Sequence, residues 1–186
     1  MNKITFQSTY INDANIIKNP YSKQRAERKA SFVEIDPCSK KDIDTFNTLH
    51  QLWGTKSQFV SEILYDLKHD YNCEDNSGKR KYFALTLQKD KFENLSPYDI
   101  LGVAQLEKFE NEHILEFIEV NPSYKSSMPE RLYKNIGTGI LDSIKKLKDI
   151  ECIKVYSLAN TINFYKQAAF KQMHEGALTL IWKKPH

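Results

Sequence analysis

The sequence predicts an α/β (α+β) protein, one mixed sheet of six or seven strands with about four helices on its two faces. Three observations point there. Short apolar runs rich in β-branched and aromatic residues recur along the chain. Amphipathic segments with apolar residues at i, i+3 and i+4 interrupt them. The resulting order is strand, two helices, three strands, helix, strand, helix, strand, which suits a sheet covered on both sides.

The elements can be justified in turn. Ser31 to Ile35 reads as a strand, closed by Asp36-Pro37. Ser39 is placed to cap a helix, with Asp42 three residues on in a capping-box-like spacing. That helix would turn Ile43, Phe46, Leu49 and Leu52 inward. A second helix after Ser57 carries Phe59, Val60, Ile63, Leu64 and Leu67 on one face. The stretch from Asn72 to Lys81 is polar and reads as a loop. Tyr82 to Leu87 and Ile100 to Leu106 are strands, separated by a polar loop with Pro97. Asn111 and Glu112 turn the chain into a third strand, Ile114 to Val120, which Asn121-Pro122 ends because proline has no N–H to donate. An amphipathic helix follows with Ile140, Leu141, Ile144 and Leu147 on one face. Cys152 to Leu158 is a strand, Thr161 to Ala168 a short helix, and Ala177 to Trp182 a terminal strand.

Residues 1–30 differ in character. They hold few apolar residues, Pro20 and a basic cluster of Lys18, Lys23, Arg25, Arg28 and Lys29. They read as an N-terminal extension, either packed on the domain or a partner or solvated as an arm, ahead of a single domain over 31–186.

Composition narrows the classes. The net charge is +3, from 27 basic and 24 acidic residues, which does not by itself argue for nucleic acid. Cys38, Cys73 and Cys152 form no metal-type pair and read as free thiols of a reducing compartment. The histidines show no ligand spacing either, so no metal is expected. No run approaches the ~20 apolar residues that span a bilayer, and Met1 to Tyr10 lacks a signal-peptide core. No membrane partner is expected, and a cytoplasmic location is.

Two of the six glycines, Gly137 and Gly139, flank Thr138 between the strand at 114–120 and the amphipathic helix. A glycine turn that opens a helix presents free backbone N–H groups at the positive end of the helix dipole, a site suited to phosphate. There is no G-x-x-x-x-G-K-[ST], and a dinucleotide fingerprint would want a third glycine near Asp142.

Four pieces in order resemble the GNAT superfamily of acyl-CoA-dependent N-acyltransferases. Val120-Asn121-Pro122 resembles the V-x-P end of that family's central strand. Lys134-x-x-Gly137-x-Gly139 resembles its pyrophosphate loop, Q/R-x-x-G-x-G/A. The strand at 152–158 is similar to the family strand that splays from the central one. Phe164 to Phe170 resembles F-Y-x-x-x-G-F. The resemblance spans about residues 31–184. Three departures stand out: Lys134 for Gln or Arg, Ala169 for glycine before Phe170, and an insert from Lys125 to Tyr133 containing Pro129 and Arg131.

The resemblance implies a mostly antiparallel sheet, acetyl-CoA as co-substrate and a primary amine, on a small molecule or a protein, as acceptor. It implies that the amides from Ile136 to Ile140 hold the pyrophosphate, around Asn135, Gly137, Thr138 and Gly139, with Lys134 as a point charge. It also implies that the backbone of Ile118 to Val120 holds the pantetheine as an added strand would, and that Asn160 contacts the cofactor. Tyr165 becomes the candidate acid for the leaving thiolate. Ile162, Tyr165 and Ala168 share a helical face, so the Tyr165 ring also suits core packing. Glu116 and Glu119 are candidate bases. Strict alternation places them on opposite faces, and a bulge would change that. His113 and His174 are weaker candidates and suit surface or turn positions.

Two other readings remain at the level of sequence. Lys134 and Ala169 leave room for a CoA-binding regulatory or assembly module without catalysis. The basic cluster at 18–29 leaves room for an acceptor on tRNA or a ribosomal protein, although nucleic acid is the less expected partner. An exposed final strand could pair across a two-fold axis in a homodimer.

Overall fold

Side-chain alternation makes Thr9–Lys18 a strand (β1), polar along one face and burying Ala14 and Ile16 on the other. The computed structural model describes residues 7–72, 79–110 and 112–185. Ala26–Ile35 (β2) returns antiparallel to β1, with Ile16 opposite Arg28 and Tyr10 opposite Val33. The extension expected over 1–30 therefore supplies one whole sheet strand and the start of another in its described part. Its residues 1–6 lie outside the described residues.

Lys40–Trp53 (α1) begins at Ser39, whose hydroxyl accepts from the Asp42 N–H at 3.3 Å. Ile43, Phe46 and Leu49 turn inward as expected, whereas Leu52 is 47% exposed and Trp53 is buried in its place. Gln58–Asn72 (α2) buries Val60, Ile63, Leu64 and Leu67. The loop expected after Asn72 falls largely on residues 73–78, outside the described residues, as does Cys73. The turn residue Asn111 lies outside them too.

Arg80–Thr86 (β3), Ile100–Phe109 (β4) and Glu112–Val120 (β5) form a meander, each antiparallel to the one before. Tyr133–Lys134 (β6) leads into Ile136–Lys145 (α3), then Cys152–Tyr156 (β7) and Ile162–Gln167 (α4). Lys171–Gln172 (β8) and Thr179–Lys183 (β9) end the chain. Among the described residues the sheet has nine strands in the order β6-β1-β2-β3-β4-β5-β7-β9-β8. The excess over six or seven comes from β1, β6 and β8. Two of these are only two residues long, too short for periodicity to register.

Every pairing is antiparallel except β5 with β7. The last strand is not a bare edge, because β8 pairs with Ile181 and Leu180 on its outer side. One core packs α3 and the Tyr165 ring of α4 on one face of the sheet, around Phe32, Phe83 and Leu85. The other packs α1 and α2 on the opposite face, around Val33, Tyr82 and Val103. In α3 alone Ile136, Ile140, Leu141 and Ile144 are buried, each worth roughly 1.5–3 kcal/mol. No helix among the described residues is long and apolar enough to cross a membrane.

Candidate active site

The parallel pairing of β5 with β7 covers His113, Ile114 and Leu115 and then stops. Beyond Leu115 the two strands part. The backbone of β5 from Glu116 to Val120 keeps its antiparallel partner β4 on one side and lies unpaired on the other. A cleft of about 570 Å³ opens there. Ile118 and Val120 line it from β5, Tyr156 from the end of β7 with Ser157 and Leu158 just after it, and Lys134 to Thr138 from the approach to α3 and its first turn. A free strand edge with pockets beside it is the geometry that receives an extended, amide-bearing chain.

At one end of the cleft sits the N-terminus of α3. Asn135 is the N-cap, in the left-handed region at φ 66, and its side chain makes no capping hydrogen bond. The N–H groups of Ile136, Gly137 and Thr138 precede the first intrahelical bond, which Gly139 makes to the Asn135 carbonyl at 2.9 Å. This narrows the expected amide set. Gly139 and Ile140 do not line the cleft, and the Gly139 N–H is already engaged. Gly139 serves packing instead: a Cβ there would meet the Ala14 Cβ at 3.2 Å, so the glycine lets α3 close on β1. Gly137 faces the cleft, and a Cβ there would meet the Phe164 ring at 3.1 Å.

The candidate bases separate. Gln105 pairs with Phe117 and Leu106 with Leu115, which leaves Glu116 as the extra residue of a β-bulge. The bulge breaks alternation. Leu115, Ile118 and Val120 pack with the α3 core, whereas Phe117 packs with the α1 and α2 core. Glu116 is exposed to the cleft and lines it. Burial by its surroundings raises its carboxyl above the usual range, and the nearby Glu107 and Asp66 raise it further. Glu119 is buried and bound to Lys125 Nζ at 2.6 Å, and it does not line the cleft. The same ammonium donates to the Lys56 carbonyl at 3.0 Å, tying the insert to the turn between α1 and α2. Glu119 is thus held as a structural ion pair.

Tyr165 reaches the cleft from α4. Its ring packs edge-on against Phe164 and Phe170, with centroids 5.0 and 5.6 Å apart. The ring is core, as its helical face suggested, and the residue also borders the cleft. Burial pushes its hydroxyl up to about 12, which keeps it protonated as a donor. Among the described residues its hydroxyl has no hydrogen-bond partner. Ala169 follows in the left-handed region at φ 64, so the turn that a glycine would favour is kept with an alanine in it. Lys145 Nζ donates to the Ala168 carbonyl beside that turn and lies over the Phe170 ring at 5.1 Å.

Asn160 lines the cleft, as do several residues that no motif marked: Phe59, Tyr124, Ser126, Ser127, Thr161 and Gln167. Tyr124 stands edge-on to Tyr133 at 5.2 Å, and burial raises its hydroxyl. His113 is buried on the part of β5 that pairs with β7, and His174 does not line the cleft. A wider, shallower depression of about 680 Å³ lies among residues 7–10 and 89–93, at the opposite end of β1.

No family model matches the sequence, and no curated protein sequence matches it. Solved structures do. A Desulfovibrio desulfuricans protein assigned to the GNAT family of acetyltransferases superposes with a TM-score of 0.54 at 13% identity, over 83% of this chain and 98% of that one. The PaiA N-acetyltransferase of Thermoplasma acidophilum, solved with coenzyme A, gives 0.46 at 18% identity, over 84% and 99%. Tetrahymena GCN5 gives 0.48 at 11% identity, over 80% and 92%. The fold assignment rests on the first. The splayed strands, the glycine turn at the head of α3 and the left-handed turn after α4 all occur here within the fold of the GNAT acetyltransferases.

Proposed function

We propose that this protein transfers an acetyl group from acetyl-CoA to a primary amine by direct attack within a ternary complex. One observation carries the reading: a helix N-terminus without a side-chain cap opens into the same cleft as a free strand edge. The first suits a diphosphate and the second a chain of amides. The residues present fit the co-substrate. The Ile136, Gly137 and Thr138 amides hold its diphosphate with Lys134 beside them, and the backbone of Ile118 and Val120 holds its pantetheine.

Acetyl-CoA supplies the activated acyl thioester. The acceptor nitrogen forms a bond to the acyl carbon as the carbon–sulphur bond breaks. Glu116, at the bulge, takes the proton that the amine loses, directly or through water. Its raised carboxyl is a better base near neutrality than an ordinary glutamate. Tyr165 gives a proton, or a hydrogen bond, to the departing thiolate. Lys125 neutralises Glu119, which leaves the second candidate to position the insert.

The test is CoA release over a panel of amines, for the natural chain and for Tyr165→Phe. The proposal expects release with at least one amine, with kcat reduced in the variant and CoA affinity unchanged. Tight CoA binding without turnover on any amine would favour the non-catalytic CoA-binding module. Failure to bind CoA would reject both readings.

A further inference from the structure

The chain from Lys125 to Lys134 does not end in solvent. Its last two residues, β6, pair with the end of β1, Ile17 opposite Lys134 and Lys18 opposite Tyr133. The next residue of the hairpin, Asn19, donates its N–H to the Leu132 carbonyl at 2.9 Å. The turn between β1 and β2 is thereby fixed beside the head of α3.

Two side chains meet at this junction. The Arg131 guanidinium lies over the Tyr21 ring, 5.8 Å from its centroid. The Arg131 Nε is buried and has no hydrogen-bond partner, and among the described residues Arg131 has no ion pair. Arg131 lines the cleft together with Lys134 and the free amides of α3. Tyr21 is 64% exposed, with one face occupied by Arg131. An arginine set over an aromatic ring keeps its planar donor fork while losing little freedom on binding an anion. The place of Arg131 in the cleft wall beside Lys134 lets the guanidinium meet an anion that enters there.

We propose that the β1–β2 turn and the 125–133 insert form a subsite for the phosphorylated nucleoside end of CoA, with Arg131 on the ribose 3′-phosphate and Tyr21 against the adenine. This rests on the CoA reading above. A ribose carries its 5′-diphosphate and its 3′-phosphate on one sugar ring. A molecule whose diphosphate sits on the α3 amides must therefore place a second anion nearby. The subsite would account for a hairpin that is tied to the insert rather than left loose.

Titration calorimetry on the full chain tests this with CoA, 3′-dephospho-CoA and 4′-phosphopantetheine. The natural protein is expected to bind CoA at least about tenfold tighter than dephospho-CoA. Arg131→Gln should weaken CoA by roughly ten- to a hundredfold, the range of a lost charged hydrogen bond, and change dephospho-CoA by less than about twofold. Tyr21→Ala should weaken both nucleotides alike and leave 4′-phosphopantetheine unchanged. Equal affinity of the natural chain for CoA and dephospho-CoA would overturn the subsite while leaving CoA binding intact. So would an Arg131→Gln variant that weakens both ligands equally. No binding of CoA at all would overturn the acyltransfer reading as well, and the two failures are distinct.

Discussion

Ala169→Gly should stabilise this protein, although it removes a methyl group. Ala169 sits at φ 64, immediately after α4, with its N–H donating to the Lys166 carbonyl at 3.0 Å. An L-residue in that region brings Cβ against the following carbonyl, at roughly 1–2 kcal/mol. Glycine removes that strain. It also gains freedom in the unfolded chain, which offsets about 0.4–1 kcal/mol. The difference is about 0.5–1 kcal/mol in favour of glycine. For a chain of this length it corresponds to a rise of roughly 1–4 °C in Tm. Thermal unfolding by circular dichroism measures it. Ala169→Val is the companion variant, and β-branching at positive φ should lower Tm by at least as much. A glycine variant that melts at or below the natural protein would refute the assignment of a strained left-handed turn at this position.

Other perturbations follow from the same geometry. Glu116→Gln should lower kcat by about 10²–10⁴ at neutral pH, and the deficit should shrink as pH rises and more acceptor arrives deprotonated. A deficit independent of pH would argue against a base at the bulge. Gly102→Ala should destabilise by about 1–3 kcal/mol. The added methyl would lie 2.8 Å from the Ile140 Cδ1 and 3.0 Å from the Glu119 carbonyl, and a urea midpoint equal to the natural one would contradict that packing. Burial raises Asp42 from 3.8 to about 6, against hydrogen bonds from Ser8 and the Asp36 N–H that pull it down. The folded state therefore holds a proton that the unfolded chain releases between those values. Stability from this group is full below pH 3.8 and lost as pH rises through about 6, by up to about 3 kcal/mol. Asp42→Asn should flatten that part of the urea-midpoint profile, and an unchanged slope would contradict it.

Much of this was readable from the chain, and what was not has physical reasons. The helices α1, α2 and α3 announced themselves through apolar spacing, and the head of α3 through Gly137 and Gly139. The meaning of Gly139 was not readable, because it depends on Ala14, a residue 125 positions earlier. The strand β1 hides its two buried residues among Asn12, Asp13 and Asn15, so a half-polar strand reads as an arm. Glu116 and Glu119 look equivalent in sequence. Only the extra residue opposite Gln105 and Leu106, and the reach of Lys125, tell them apart. Arg131 was visible as a charge, but not as one that lies over an aromatic ring of the hairpin.

A crystal structure of the protein with bound CoA tests the central claim most directly. The account predicts the diphosphate on the Ile136, Gly137 and Thr138 amides and the pantetheine running beside Glu116 to Val120, with its sulphur within reach of Tyr165. Density for CoA elsewhere, with those three amides turned to water, would contradict it.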